Sequence, residues 1–307
     1  MRLDLDLLER FEAGLNPQRV ELSSVPAVII GYGEISAIFQ INGDDAVAYK
    51  RMPLFSSRPA AVAYAGLYET YCRLLGEAGL LLPKSATAIV EIPGRPVVLY
   101  IGQQALPARW FGHQLIHRLS PDRLGLLIRR IMAQQEKIQE FNRARLPGLE
   151  IAVDGQLSNW AIDGEIETGP LYFIDTSTPF IRRNGRHELD VSLLLKAVPA
   201  PLRGLTGRLL AGGVLDRYFD ARKNRIDLAA NLYKEQRPDL VPVALTAIND
   251  ALPDELPPVR EKEVAAYYRS DRMIWRLFLA LRRADRFFAT RLLGRRYEFI
   301  LPGKIRR

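Results

Sequence analysis

The chain has 307 residues, 48% of them hydrophobic and 25% charged, the balance of a globular protein with a sizeable core. Its single cysteine, Cys72, excludes an intramolecular disulfide and a cysteine-rich metal cluster. The net charge of +8 is unevenly placed: residues 271–307 hold 11 Lys/Arg against 3 Asp/Glu, so the tail carries the whole excess. No apolar run is long enough to span a bilayer, and the acidic start MRLDLDLLERF is unlike a signal peptide. A soluble, cytoplasmic protein is the expectation.

The first twenty residues predict a short amphipathic helix with Leu5, Leu7, Leu8 and Phe11 on one face. Val25–Ile30 is a β-branched run, followed by Gly31-Tyr32-Gly33-Glu34-Ile35-Ser36. A dinucleotide-binding unit would open a helix at these glycines. Here Ala37–Ile41 reads as another strand, and Asn42-Gly43 is a hairpin turn before Val47-Ala48-Tyr49-Lys50. The glycines therefore fall between two strands. Such a hairpin can bring backbone N–H groups to phosphates without obstruction by a Cβ. Pro59–Gly79 predicts a helix with proline near its start and glycine at its end; Ala86–Glu91 and Pro96–Ile101 predict two further strands.

Ser120-Pro121 starts a long helix whose stripe includes Leu124, Leu127, Ile128, Ile131, Ile138 and Phe141. Trp160–Ile162 and Leu171–Ile174 are apolar runs joined by a Gly- and acid-rich turn, a β-hairpin pattern. In an antiparallel hairpin the start of one strand and the end of the next share an edge, so Asn159 and Asp175 should be neighbours. Asp154 lies one loop away. Two adjacent oxygen ligands suit Mg²⁺, which completes its shell with phosphate and water. Asp and Asn at strand ends also serve as ordinary turn residues, and that reading stays open on these residues alone.

The ordered set resembles the protein-kinase-like phosphotransferase superfamily, nearer to compact bacterial small-molecule kinases than to protein kinases. Val47-Ala48-Tyr49-Lys50 is similar to its V-A-x-K strand, Asp154-Gly-Gln-Leu-Ser-Asn159 to its D-x-x-x-x-N loop, and Asp175 to its metal-binding Asp. The resemblance implies an α+β fold in two lobes. Residues 1–104 would form a nucleotide-binding lobe, a five-stranded antiparallel sheet plus one helix. Residues 105–307 would form a mainly helical lobe with the catalytic loop and the basic tail. It also implies ATP and Mg²⁺ as cofactors. Gly31, Gly33, Ser36, Ala48, Lys50 and a hinge at Gly102 would hold the nucleotide. Glu69, nineteen residues after Lys50, would brace the lysine, with Glu77 as competitor. Asn159 and Asp175 would hold metal and Asp154 would act as base. The departures are Ala152 where the family has His, Asp175-Thr-Ser in place of D-F-G, and no A-P-E.

The expected function is phosphoryl transfer to an acceptor, small molecule or protein, that no motif identifies. The alternative is a pseudokinase, a nucleotide-binding scaffold whose output is a partner or membrane contact. No nucleic-acid partner is expected. The tail interleaves apolar residues (Ile274, Trp275, Leu277, Phe278, Leu281, Phe287, Phe288 and Leu292) with Arg272, Arg276, Arg282, Arg283, Arg286 and Arg291, which suits peripheral contact with an anionic membrane or an acidic partner. The competing expectation packs its apolar face on the helical lobe.

Overall fold

A computed structural model describes residues 1–33, 36–190, 192–193, 215–252 and 256–303. Glu34 and Ile35, at the tip of the glycine turn, lie outside the described residues. The architecture is α+β. Five strands form an antiparallel sheet in the order β1-β2-β3-β5-β4: β1 Ala27–Tyr32, β2 Ala37–Ile41, β3 Val47–Phe55, β4 Ser85–Val90 and β5 Val97–Gln104. The β2–β3 connection turns at Asn42 and Gly43, both at positive φ (57° and 74°), the conformation for which Asn-Gly is suited.

Strand side chains alternate between faces, and the sheet uses both. On one face Phe39, Tyr49, Val98 and Tyr100 pack against Leu7, Leu8 and Phe11 of α1 (Leu5–Gly14). On the other, Met52, Leu99 and Ile101 join α2 (Arg58–Glu77) and the core of the helical half. Two helices therefore flank the sheet where one was expected, because the N-terminal amphipathic segment covers the back. α2 is started by Ser57, whose side chain accepts from the Ala60 N–H, and by Pro59 in its first turn. Its exit passes through Gly79 at φ +84°.

The alternation on β3 puts Lys50 on the α2 face and Arg51 on the α1 face. Arg51 is 2% exposed and forks onto Glu12 of α1: Nε to Oε2 and Nη2 to Oε1, both 2.7 Å. Tyr100 Oη donates to Glu12 Oε2 (2.5 Å), Arg95 also pairs with Glu12, and Arg51 donates to the Glu298 carbonyl (2.7 Å) and carboxylate (2.9 Å). Burial alone would raise the Glu12 carboxyl; the Arg51 fork, Tyr100 and Arg95 hold it below its ordinary value. The network ties the first helix, the sheet and the C-terminal segment together. Arg296 Nη2 adds a bond to the Leu15 carbonyl (2.7 Å), and Gln18 Nε2 one to the Tyr297 carbonyl (3.2 Å). Glu12→Ala leaves Arg51 buried without its main counter-charge and is expected to lower unfolding free energy by about 3–5 kcal/mol, read by urea denaturation. Because the folded-state pKa of Glu12 is depressed, its contribution is present at neutral pH and lost as pH falls through that value. A loss under 1 kcal/mol in the variant removes the network from the account.

The remaining elements are mainly helical: α3 (Gly112–Leu115), α4 (Pro121–Arg143), α5 (Ala221–Lys234), α6 (Val241–Asn249) and α7 (Glu261–Phe287). Ser120 caps α4 through the Arg123 N–H, with Pro121 in the first turn. α4 packs on α6, and α5 on α7. Between sheet and helices lie two small β units. One comprises β6 (Leu149–Ile151), β9 (Ile181–Arg183) and β10 (Arg186–His187); the other is the hairpin β7 (Trp160–Ile162) and β8 (Leu171–Phe173).

Candidate active site

The hairpin organises the site. Trp160 pairs with Phe173 and Ile162 with Leu171, and the ladder closes with the Ile174 N–H on the Asn159 carbonyl (2.9 Å). Asn159 and Asp175 thus flank one end of the hairpin. The buried rings of Trp160 and Phe173 meet at 5.1 Å between centroids, tilted by 54°, beneath that end and fix it to the core.

The loop from Ala152 to Asn159 is held from three sides. Tyr71 Oη of α2 donates to the Ala152 carbonyl (2.5 Å). Asn224 of α5 clamps the backbone around Asp154: Nδ2 donates to the Val153 carbonyl (2.8 Å), and Oδ1 accepts from the Gly155 N–H (2.9 Å). Asn159 Nδ2 returns to the Asp154 carbonyl (3.1 Å). A Cβ on Gly155 would lie 2.2 Å from both Asn224 Oδ1 and Gln135 Nε2, so only glycine lets the clamp approach. Neither Asn224 nor Tyr71 is marked as a site residue by the sequence. Their signal is weak: a buried amide in a charged helix, and a tyrosine two turns along a helix face.

Lys50 reaches across from β3. Its Nζ is 2.8 Å from Asp175 Oδ1 and 2.6 Å from Ser177 Oγ, and Ser177 Oγ donates to the same carboxylate oxygen (2.9 Å). Burial would raise the Asp175 carboxyl, but the Lys50 charge and the two hydrogen bonds hold it below the usual carboxylate range. Tyr64 Oη steadies the segment through the Ser177 carbonyl (2.8 Å), and Thr176 Oγ1 donates to Tyr68 Oη (3.3 Å). Gln103 Nε2 of β5 bonds the Ile174 carbonyl (3.1 Å), so the sheet is joined to the hairpin on either side of Asp175.

Glu69 is not brought to Lys50. It is exposed on α2, and its Oε1 accepts from Thr87 Oγ1 of β4 (3.4 Å). The reason is helical phase. Tyr64, Tyr68 and Tyr71, spaced i, i+4, i+7, occupy the face toward the site, and position 69 is turned about 100° from position 68. Glu77 pairs with Arg73 on the surface.

The glycine turn lies along the same sheet face. Gly31 is in register with Ile38, and Ile38 with Lys50, which sets the three in one cross-strand row. The Gly33 N–H donates to the Ser36 carbonyl (3.0 Å), and a Cβ on Gly33 would meet Ser36 Oγ at 2.5 Å. Ser36 itself is buried and closes this turn. Ala48, two residues before Lys50, shares its face and pairs with Gln103. Gly102 differs: a Cβ there would lie 2.4 Å from Leu3 Cδ2, on the α1 side of the sheet. It is also inside β5, paired with Tyr49 and Ala86, rather than in an open hinge.

Asp154 is half-buried, with its Oδ1 accepting from the Gln156 N–H (3.2 Å). Burial, and after it the Asp227 carboxylate, push its pKa well above the ordinary value, while Lys234 opposes them. Lys234, on the Asp227 face of α5, lies 3.7 Å from Asp227 and 3.2 Å from Asp271 of α7. A folded-state pKa above the unfolded value means that ionising Asp154 costs folding stability as pH rises through it. Asp227→Asn removes the like charge and should lower the Asp154 pKa; Lys234→Met should raise it. Carbon-13 NMR titration of the side-chain carboxyls reads both. An Asp154 resonance that titrates in the ordinary range, unmoved in either variant, contradicts the assignment.

The chain is α+β, with a five-stranded antiparallel sheet beside a polar cluster. It belongs to DUF6206, a family of unknown function, whose model matches residues 25–286. No curated protein matches. Among solved structures it is similar to WaaP in complex with acyl carrier protein, at 13% identity, with a TM-score of 0.35, over 82% of this chain and 90% of that one.

Proposed function

We propose that the chain is a kinase-like ATP-dependent phosphotransferase. The observation that carries the reading is the Lys50–Asp175 ion pair at 2.8 Å. It joins two residues 125 positions apart, one on the sheet and one at the hairpin end, beside Asn159 and the loop of Asp154. Residues 1–104 act as the nucleotide lobe and 105–307 as the helical lobe.

The donor set fits a hard cation. Asp175 presents a carboxylate, and Asn159, its Nδ2 spent on the Asp154 carbonyl, presents Oδ1. Mg²⁺ takes few protein oxygens and completes its octahedron with phosphate and water; bound here it would neutralise phosphate charge. Lys50 contributes a fixed positive charge to the phosphates of ATP, and Gly31 lies in the same cross-strand row. Asp154 accepts the proton of the acceptor hydroxyl as its oxygen bonds the γ-phosphorus and the bond to the β-bridging oxygen breaks, releasing ADP. A raised pKa suits a base that must both take and surrender a proton near neutrality.

A second reading, nucleotide binding without transfer, is favoured by one observation: the α2 face opposite Lys50 carries tyrosines, and Glu69 lies elsewhere. Thermal-shift titration with ATP and Mg²⁺ tests what the two share. At a hundredfold excess over Kd the bound state gains about 2.7 kcal/mol, several degrees in Tm. No shift at millimolar ATP rejects both. A shift with no loss of label from γ-labelled ATP, over any acceptor tried, selects the second.

A further inference from the structure

In the C-terminal half of the long helix α7 an arginine shares the inner face with Leu279 while several large apolar side chains face outward. Arg282 is 2% exposed, its guanidinium over the Phe278 and Phe299 rings at 5.3 and 4.8 Å. Met273, Leu277, Phe287, Phe288, Leu292 and Leu293 are 55–66% exposed, and Ile274 joins them. Positions 273, 277, 280, 284 and 287 follow i, i+4, i+7, i+11, i+14, a straight outward stripe on a helix about 40 Å long. Arg269, Arg276 and Arg283 run beside it at seven-residue spacing, turned from it by about 60°. The helix ends in a π-turn, Phe288–Leu292, and Gly294 at φ +59° sends the chain back, leaving Phe287, Phe288, Leu292 and Leu293 as a projecting apolar tip.

Beside that tip is an open groove of about 610 Å³, lined by Gln18, Arg283, Arg286, Phe287, Thr290 and Arg291. Among the described residues no carboxylate lies within ion-pair distance of its three arginines; Arg283 spends Nη2 on the Pro302 and Gly303 carbonyls and keeps its charge. No Asp or Glu is exposed among described residues 269–296.

We infer that this end of α7 binds the surface of a bilayer containing anionic phospholipid, the groove seating a headgroup phosphate and the apolar tip entering the acyl boundary. Three guanidiniums suit a phosphodiester, which they meet with forked, charge-assisted bonds. An outward stripe of apolar side chains with arginines beside it and no exposed Asp or Glu matches an interfacial helix, which lays its apolar face in the acyl boundary and its basic side on anionic headgroups. The inference does not depend on phosphoryl transfer, because its readout is partition, not turnover.

The test uses the full chain and vesicles of phosphatidylcholine alone or mixed with phosphatidylglycerol, with flotation at low and high salt. Binding is expected to the anionic vesicles only and to fade with salt. Each basic residue contributes about fivefold, so Arg286→Gln with Arg291→Gln should weaken partition about twenty-five-fold. Phe287→Ser with Phe288→Ser should weaken it at least as much. Phe287, Phe288 and Arg291 are exposed and Arg286 is half-buried, with no ion pair among the described residues, so the thermal melts of both double variants should match the parent and exclude unfolding. Inorganic phosphate and glycerophosphate should compete only at concentrations where salt alone does. Equal binding to neutral vesicles, or none to anionic vesicles at low salt, overturns the inference. So does tight capture of free phosphate without vesicle binding. A dimer that the aromatic variant dissolves, with vesicle binding unchanged, assigns the face to a second copy and overturns it too.

Discussion

Asp154→Asn should leave Mg·ATP binding intact and lower turnover by about 10²–10⁴. The backbone of its loop is fixed by Tyr71, Asn224 and Asn159 through carbonyls and N–H groups that the substitution does not touch. Asn keeps the shape and the acceptor oxygen at Oδ1. What disappears is the capacity to take a proton, and with it the charge that Asp227 crowds. The residual activity should also lose the acid limb of its pH profile, because the group that had to ionise is gone. In the parent that limb should lie above the ordinary carboxylate range, and Asp227→Asn should move it to lower pH. Measuring kcat against pH in the three proteins checks this. A variant with wild-type turnover means that Asp154 is only the turn residue its position also allows.

Lys50→Ala should weaken use of ATP by about two to three orders of magnitude, the usual effect of losing one preorganised charge donor. The structure adds a consequence. Lys50 and Ser177 together hold Asp175 ionised, so removing the lysine leaves the half-buried carboxylate with only the Ser177 hydroxyl and backbone N–H for support. Its pKa should rise in the variant, and metal binding, which needs the ionised form, should weaken at acid pH first. Ser177→Ala removes one hydrogen bond but no charge and should cost far less. kcat/KM for ATP across the two variants separates the effects. Equal losses would mean that the lysine charge is not the active ingredient.

Much of this site is readable before folding because the features are local. Asn42-Gly43 declares a hairpin, the acid- and glycine-rich turn at 163–170 declares another, and antiparallel geometry then places Asn159 next to Asp175. The direct Lys50–Asp175 contact lies beyond such reasoning, since register fixes neighbours within a sheet and not between a sheet and a hairpin. Glu69 shows the limit of spacing: nineteen residues after Lys50 is a distance along the chain, whereas phase on the helix decides which side chain faces inward. The tyrosines at 64, 68 and 71 carried that information. Asn224 lies 69 residues after Gly155, on a helix whose charges look solvated. Glu12 reads as the polar side of an amphipathic helix, and only Arg51, Arg95 and Tyr100 converging from two strands and a turn make it a buried hub. The tail misleads in the opposite sense: Leu277, Phe287, Phe288 and Leu292 invite burial, but Arg282 goes inside with Leu279 and they stay out.

The role given to Asp175 is the centre of the account, and calorimetric titration of ATP, with and without Mg²⁺, into the parent and into Asp175→Asn tests it most directly. Mg²⁺ is expected to tighten ATP binding to the parent at least tenfold, about 1.4 kcal/mol, and to have no such effect on Asp175→Asn while metal-free binding persists in both. Equal Mg²⁺ dependence in the two proteins, or no ATP binding by the parent, would contradict it.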